Sequence, residues 1–295
     1  MVDAALIELI DIFALFAFLL GASIASFLNV VIWRVPRGES IVSPPSHCPK
    51  CSSPIKWRQN LPIISWLVLR GKCANCKAPI SPRYIAVELI GGVLFLATFW
   101  RYGIYAPLAW VWISLMIVGS FIDFDHQVIP DFVTVGGMIL GVGYSLLFYF
   151  LPLAPDSVFS MLPRVLKDLR YISDFHAIAI SPLYSLIGLA FGFGLLWLVR
   201  FLGTKAFKRE AMGMGDVFLL GAVGAISGPV AVLVVLVASS VFGSVVGISM
   251  IILNKAKLGK FTAIPYGPYI CMGSVFWMFW GPDFVNWYLR LIIPR

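Results

Sequence analysis

The sequence predicts an all-α polytopic membrane protein of about eight transmembrane helices with a small cytoplasmic loop domain. Three observations predict it. Hydrophobic residues make up 60% of the chain and charged residues only 12%, with a mean hydropathy of +0.93, whereas a soluble domain is nearer a quarter charged. The apolar residues gather into eight runs, and most of the Lys and Arg residues sit in a few short segments between those runs. Such clustering reads as membrane topology.

A spanning helix needs about 20 apolar residues, and the first run, 12–33, meets that length. The residues before it carry Asp3, Glu8 and Asp11 in place of a basic n-region, with no small-residue cleavage site, so the run reads as a retained helix. The later runs are 84–100, 107–122, 132–153, 182–202, 216–227, 229–253 and 263–280. The sixth is too short to cross alone. It either borrows residues across Gly228-Pro229 or stops part-way where protein shields its end. The expected division is a first transmembrane helix (1–33), a cytoplasmic four-cysteine loop (34–83) and a transmembrane core of about seven helices (84–295).

Nine Lys and Arg residues from Arg34 to Arg83 place that loop in the cytoplasm and the N-terminus outside it. Alternation then puts Lys205, Lys208 and Arg209, and also Lys255, Lys257 and Lys260, on the cytoplasmic side, as the rule requires. Segment 154–181 and the tail 281–295 fall outside, the tail with Trp287, Tyr288 and Arg290 as an interfacial anchor. The net charge of +8 is thus accounted for by the lipid bilayer, and no nucleic-acid partner is expected.

Four of the five cysteines form Cys48-Pro-Lys-Cys51 and Cys73-Ala-Asn-Cys76, with 21 residues between the pairs. Each tight turn can aim two thiolates at one ion, which fits a tetrahedral zinc site. Both pairs lie within the pattern C-x-x-C-x-x-P-I, from Cys48 to Ile55 and from Cys73 to Ile80. Two disulfides are the competing reading, and a loop on the reducing side of the membrane favours thiolates and metal. Four thiolates leave no open coordination position, so the expected role is structural, stapling a loop too small to build its own core. His47 reads as a bystander and Cys271 as a packed thiol.

Gly213-Met-Gly215-Asp216 sets a carboxylate beside two glycines at the start of an apolar run, and Asp123, Asp125 and Asp131 lie where an earlier run ends. Ionisable groups at membrane segments are site candidates. The topology puts Asp123 and Asp216 at the cytoplasmic ends of their helices, so they can form a dyad that shares one proton and activates a water. Asp131 reads as an N-cap, and Asp125 and His126 as loop residues facing water. Glu88 either snorkels to the interface, pairs with Arg83 or lines the site. Ser26, Asn29 and Arg34 either join helices by hydrogen bonding or contact substrate.

Taken together and in order, these residues resemble the type IV prepilin peptidases, membrane aspartic peptidases of the G-x-G-D kind. The resemblance rests on Ser26-Phe-Leu-Asn29-Val-Val-Ile-Trp-Arg34-Val-Pro36, both cysteine pairs, Arg83-Tyr84 with Glu88-Leu89, Ile122-Asp123 with Ile129-Pro130-Asp131, Gly213 to Asp216, and Ile264-Pro-Tyr-Gly-Pro268. It implies that Asp123 and Asp216 are the catalytic pair and that the partners are prepilin or pseudopilin precursors, cut after a glycine at the cytoplasmic face of the inner membrane. It also implies N-methylation of the new N-terminus with S-adenosylmethionine, by a bifunctional enzyme. One departure stands out: the family usually reads G-x-G-D-x-K, and here Phe218 takes the lysine position.

Two other readings stay open at this level. A membrane transporter or assembly scaffold would use intramembrane carboxylates to relay protons or bind cations, but it needs acidic residues along a path from both sides. A methyltransferase that has lost peptidase activity would make Phe218 its telling feature.

Overall fold

The computed structural model describes residues 4–150, 182–253 and 265–292. The expectations for segment 154–181 and for Lys255, Lys257 and Lys260 lie outside the described residues. Every regular element among the described residues is helical: α1 (Ala4–Arg34), a short α2 (Ile64–Val68), α3 (Pro82–Tyr102), α4 (Ala106–His126), α5 (Asp131–Phe150), α6 (Pro182–Phe207), α7 (Met214–Ile252) and α8 (Gly267–Ile292). By length and composition α1, α3, α4, α6 and α7 are each able to cross a membrane, and α5 supplies a shorter apolar stretch, Asp131–Leu147.

Local chemistry sets several helix ends. The Ser81 hydroxyl accepts from the Arg83 N–H and Pro82 holds the first position of α3, the arrangement favoured at helix starts. Gln127 closes α4 in a left-handed conformation, φ +55°, and its N–H donates to the Asp123 carbonyl at 2.8 Å. α8 differs from the expected run: it begins at Gly267 and continues through Pro282 to Ile292. The apolar signal fades after Trp280, but the backbone remains helical to Ile292.

The chain divides into two compact units, Met1–Val118 and Gly119–Arg295. In the first, α1 packs along α3. Small residues make this close approach possible, since a Cβ on Gly91 would stand 2.5 Å from that of Ala25. In the second unit, α5, α6 and α8 all pack on α7.

α7 is two arms joined at a sharp bend. Gly228, at φ +80° and ψ 177°, adopts a conformation that only glycine reaches readily, and Pro229 follows without an N–H. Val232 Cγ2 lies 3.0 Å from where a Cβ on Gly224 would sit, although a straight helix would separate residues eight apart by roughly 12 Å along its axis. The chain therefore folds back on itself, and the short sixth run ends at Gly228 instead of continuing across it.

The same bend brings α6 against α7 without side chains between them. A Cβ on Gly188 would strike the Gly224 carbonyl oxygen, and one on Gly224 would strike that of Gly188. Gly224→Val is expected to lower stability by about 3 kcal/mol or more through overpacking. The check is the unfolding midpoint in detergent followed by circular dichroism, and an unchanged midpoint would contradict this packing.

Candidate active site

Four segments of the second unit meet around two carboxylates. Asp123 is in the last turn of α4, Asp216 in the first turn of α7, Ile129 in the connection between α4 and α5, and Tyr266-Gly267 at the start of α8. Ile129 ties the others together: its side chain lies 3.1 Å from the Cβ position of Gly215 and 2.8 Å from that of Gly267. A side chain at either glycine would displace it.

Asp123 and Asp216 are only 5% and 8% exposed, so each needs local hydrogen-bond partners. Asp123 Oδ2 accepts the Gly267 N–H at 3.0 Å, a buried bond between residues 144 apart in sequence. Asp216 is the third residue of its helix and turns back towards the Gly213 N–H. That is the return half of a capping box, at a helix end that favours negative charge. The two carboxylates stand near enough to feel each other's charge. Two acids that repel while sharing a buried space can hold one proton between them and divide the roles of acid and base.

Asp125, His126 and Asp131 are exposed. Asp131 stands inside the first turn of α5, while the Pro130 carbonyl takes the cap's place by accepting the Val133 N–H at 2.9 Å. Phe218 packs against Phe193 of α6, ring centroids 5.4 Å apart. Two residues along a helix turn about 200° around its axis, so Phe218 does not share a face with Asp216.

In the first unit the polar candidates secure the cysteine loop. Arg34 donates to the carbonyls of Ser40 and Pro44, each at 2.8 Å, and Asn29 donates to the Tyr84 carbonyl at 3.2 Å, tying α1 to α3. Glu88 plays a part that the sequence does not suggest. Its Oε2 accepts the Ile63 N–H at 2.7 Å, and Ile63 sits at φ +63° and ψ −54°, a γ-turn conformation that is strained for a β-branched residue. A cavity of about 310 Å³ lies between α1 and this loop, with Ser26, Phe27, Arg34, Ile41, Pro44 and Asn60 in its walls.

The four cysteines form the candidate metal centre. Their sulfurs lie within 4.8 Å of one another, and Cys48 and Cys76 are 3.8 Å apart. That matches the edge of a tetrahedron around zinc, about 3.8 Å for Zn–S bonds near 2.3 Å. The sequence repeat is also a structural one. Cys48 and Cys73 donate their N–H groups to the Ser53 and Ala78 carbonyls, at 3.0 and 2.8 Å. Ser52 and Lys77, each just after the second cysteine of its pair, are both left-handed. The Ser53 hydroxyl and N–H pull the Cys51 thiol down to about 6, and the N–H groups of Cys76 and Asn75 hold Cys73 below its ordinary value. Donors aimed at sulfur favour the thiolate at Cys51 and Cys73, while burial and the neighbouring cysteine sulfurs push Cys76 up to about 11. His47 is exposed and outside the cluster, and Cys271 is a buried free thiol on α8.

Comparison with known proteins agrees with this division. The family model for the Bacterial Peptidase A24 N-terminal domain matches residues 19–102, and that for the Type IV leader peptidase family matches residues 110–248. A prepilin leader peptidase/N-methyltransferase of Myxococcus xanthus is 38% identical over 291 residues, covering 96% of this chain and 77% of the relative. Proteins of the same name from Stutzerimonas stutzeri and Xanthomonas campestris are 33% and 32% identical, with at least 92% of each chain covered. No solved structure matches the chain.

Proposed function

The chain belongs to the type IV leader peptidase family, and from that membership we propose that its two activities are carried by different units, peptide cleavage by Asp123 and Asp216 and methyl transfer beside the cysteine loop. It is a multi-pass membrane enzyme of the inner membrane that removes prepilin leaders and N-methylates the product. The site faces the cytoplasm, as the basic loop argues, and the leader is cut after its final glycine. The transporter reading loses ground, because Asp123 and Asp216 form one local pair and the third buried carboxylate, Glu88, is taken up by the Ile63 N–H.

The observation that carries the peptidase reading is the buried pair at two opposed helix ends. The ionised carboxylate takes a proton from water, and the resulting hydroxide attacks the glycine carbonyl, which the protonated carboxyl polarises. The tetrahedral intermediate then collapses, and the amine of the new N-terminus leaves with a proton from the pair. Ile129 and the apolar helix faces keep bulk water away, which strengthens each polar contact inside. A small residue at the cut lets an extended backbone reach carboxylates recessed at helix ends.

The cysteines fit zinc, which when bound cross-links both loop turns and takes no part in cleavage. The methyl donor implied by the relatives' name is S-adenosylmethionine, which supplies an electrophilic methyl group. The cavity beside α1 suits a molecule of that kind: its volume is in the range of small-molecule sites, and its walls mix polar groups, Ser26, Arg34 and Asn60 among them, with apolar ones such as Phe27 and Ile41. Arg34 bonds across the loop and holds that wall in shape.

The test assays both activities on one purified chain. Val30 of α1 also lines this cavity, and Val30→Trp, which fills it, is expected to weaken S-adenosylmethionine binding at least tenfold by calorimetry and to stop methylation, while prepilin cleavage continues. Binding at wild-type affinity would remove the donor from this cavity.

A further inference from the structure

The contact that fixes Asp123 depends on a second, more distant one. Gly267, which donates to Asp123 Oδ2, directly follows Tyr266. The Tyr266 carbonyl accepts the N–H groups of Tyr269 and Ile270 at 3.0 and 3.2 Å, so Tyr266 is the residue on which α8 starts. Its hydroxyl reaches the second arm of α7, 2.6 Å from Ser239 Oγ and 3.3 Å from Ser240 Oγ.

The proton directions follow from counting donors. Each serine has a single hydroxyl proton, and both serines already donate it to the Leu236 carbonyl, at 3.0 and 2.8 Å. With both serine protons on Leu236, the Tyr266 hydroxyl donates its single proton to Ser239 Oγ, the nearer of the two. Ser239 is fully buried, so water does not readily replace it. α8 packs on the same stretch of α7, with the Cβ position of Gly273 2.9 Å from the Val235 carbonyl oxygen. The start of α8 is held by backbone packing along its length and by one phenolic hydroxyl at its tip.

We propose that Tyr266 is a positioning residue for cleavage: its hydroxyl, anchored on Ser239, holds the Gly267 N–H against Asp123 and so keeps that carboxylate aimed at the shared water. The bond occupies Oδ2 and leaves Oδ1 for the reaction. Position 267 has no slack, because a Cβ there would lie 2.7 Å from Asp123 Oδ2. A small shift of the α8 start thus changes the carboxylate directly, and misplacement of a reacting group costs rate more than binding. This inference rests on Asp123 and Asp216 being the catalytic pair.

The experiment measures kcat and KM for prepilin cleavage by the full chain in detergent or liposomes. Tyr266→Phe keeps the ring and removes only the hydroxyl. It is expected to lower kcat about tenfold, the order of one buried hydrogen bond, with KM unchanged. The pair Ser239→Ala with Ser240→Ala is expected to do the same, and adding Tyr266→Phe to it to cost nothing further, because the three groups form one contact. Unfolding midpoints are recorded alongside, and if Tyr266→Phe does not fold, the serine pair alone decides. A wild-type kcat, a rise in KM alone, or additive losses would overturn the proposal. Asp123→Asn is run in parallel: if it cleaves normally, the catalytic pair itself is wrong, an outcome distinct from failure of the Tyr266 contact.

Discussion

Asp216→Asn and Asp123→Asn are each expected to lower prepilin cleavage by about 10²-fold to 10⁴-fold, the range associated with removing a general acid or base. The chain should stay folded. Asparagine has the shape of aspartate, and its amide oxygen can still accept the Gly267 N–H that holds Asp123 or the Gly213 N–H beside Asp216. What it cannot do is take a proton from water. The measurement is leader removal from a purified prepilin, with unfolding midpoints confirming that each variant is intact. Normal cleavage by either variant would refute the pair. Normal cleavage by Asp123→Asn alone would direct attention to Asp125, which is exposed two residues away.

Zinc is expected to co-purify with the chain at close to one ion per molecule and to be lost in the double variant Cys48→Ser, Cys51→Ser. The loop contains only a five-residue helix and single turns, with two isolated bridges, His47 to Pro54 and Lys72 to Pro79, so it has little core of its own. Structural zinc contributes roughly 10–16 kcal/mol in isolated zinc-finger peptides, far more than such turns could supply. Metal analysis checks the stoichiometry, and limited proteolysis checks the loop, with cleavage between residues 46 and 80 expected to accelerate at least tenfold once the metal is stripped. Metal retained by the double variant would refute the assignment. The strained turn at Ile63 should loosen at the same time, since Glu88 holds it only while the loop stays docked on α3.

Several of these features are legible in the amino-acid order alone. The cysteine spacing predicts a four-sulfur cluster, because a Cys-x-x-Cys turn is local and its repeat, C-x-x-C-x-x-P-I, is written twice in the chain. The helical class follows from composition, since a chain this apolar must satisfy its backbone within each segment. The break at Gly228-Pro229 is visible as punctuation, although its sharpness is not, because a bend angle depends on what packs against it. The polar candidates Asn29, Arg34 and Glu88 can be found as residues, but their partners cannot. Those partners are backbone groups, which carry no residue-specific signal in a sequence. Phe218 is similar: its closeness to Asp216 along the chain makes it look like part of the site, whereas helical geometry turns it to Phe193.

What the sequence determined by itself was the chemistry available: two acidic residues next to membrane segments, four thiols at metal spacing, and glycines where the chain must pass closely. Those are properties of residue type and short spacing. What only the tertiary structure decided was which groups meet. The Gly267 N–H reaches Asp123 from 144 residues away, and Tyr266 secures that contact on Ser239. Neither pairing has a local cause. Both depend on α8 lying along the folded-back arm of α7, and that placement comes from packing many small and apolar side chains at once, which no single stretch of sequence specifies.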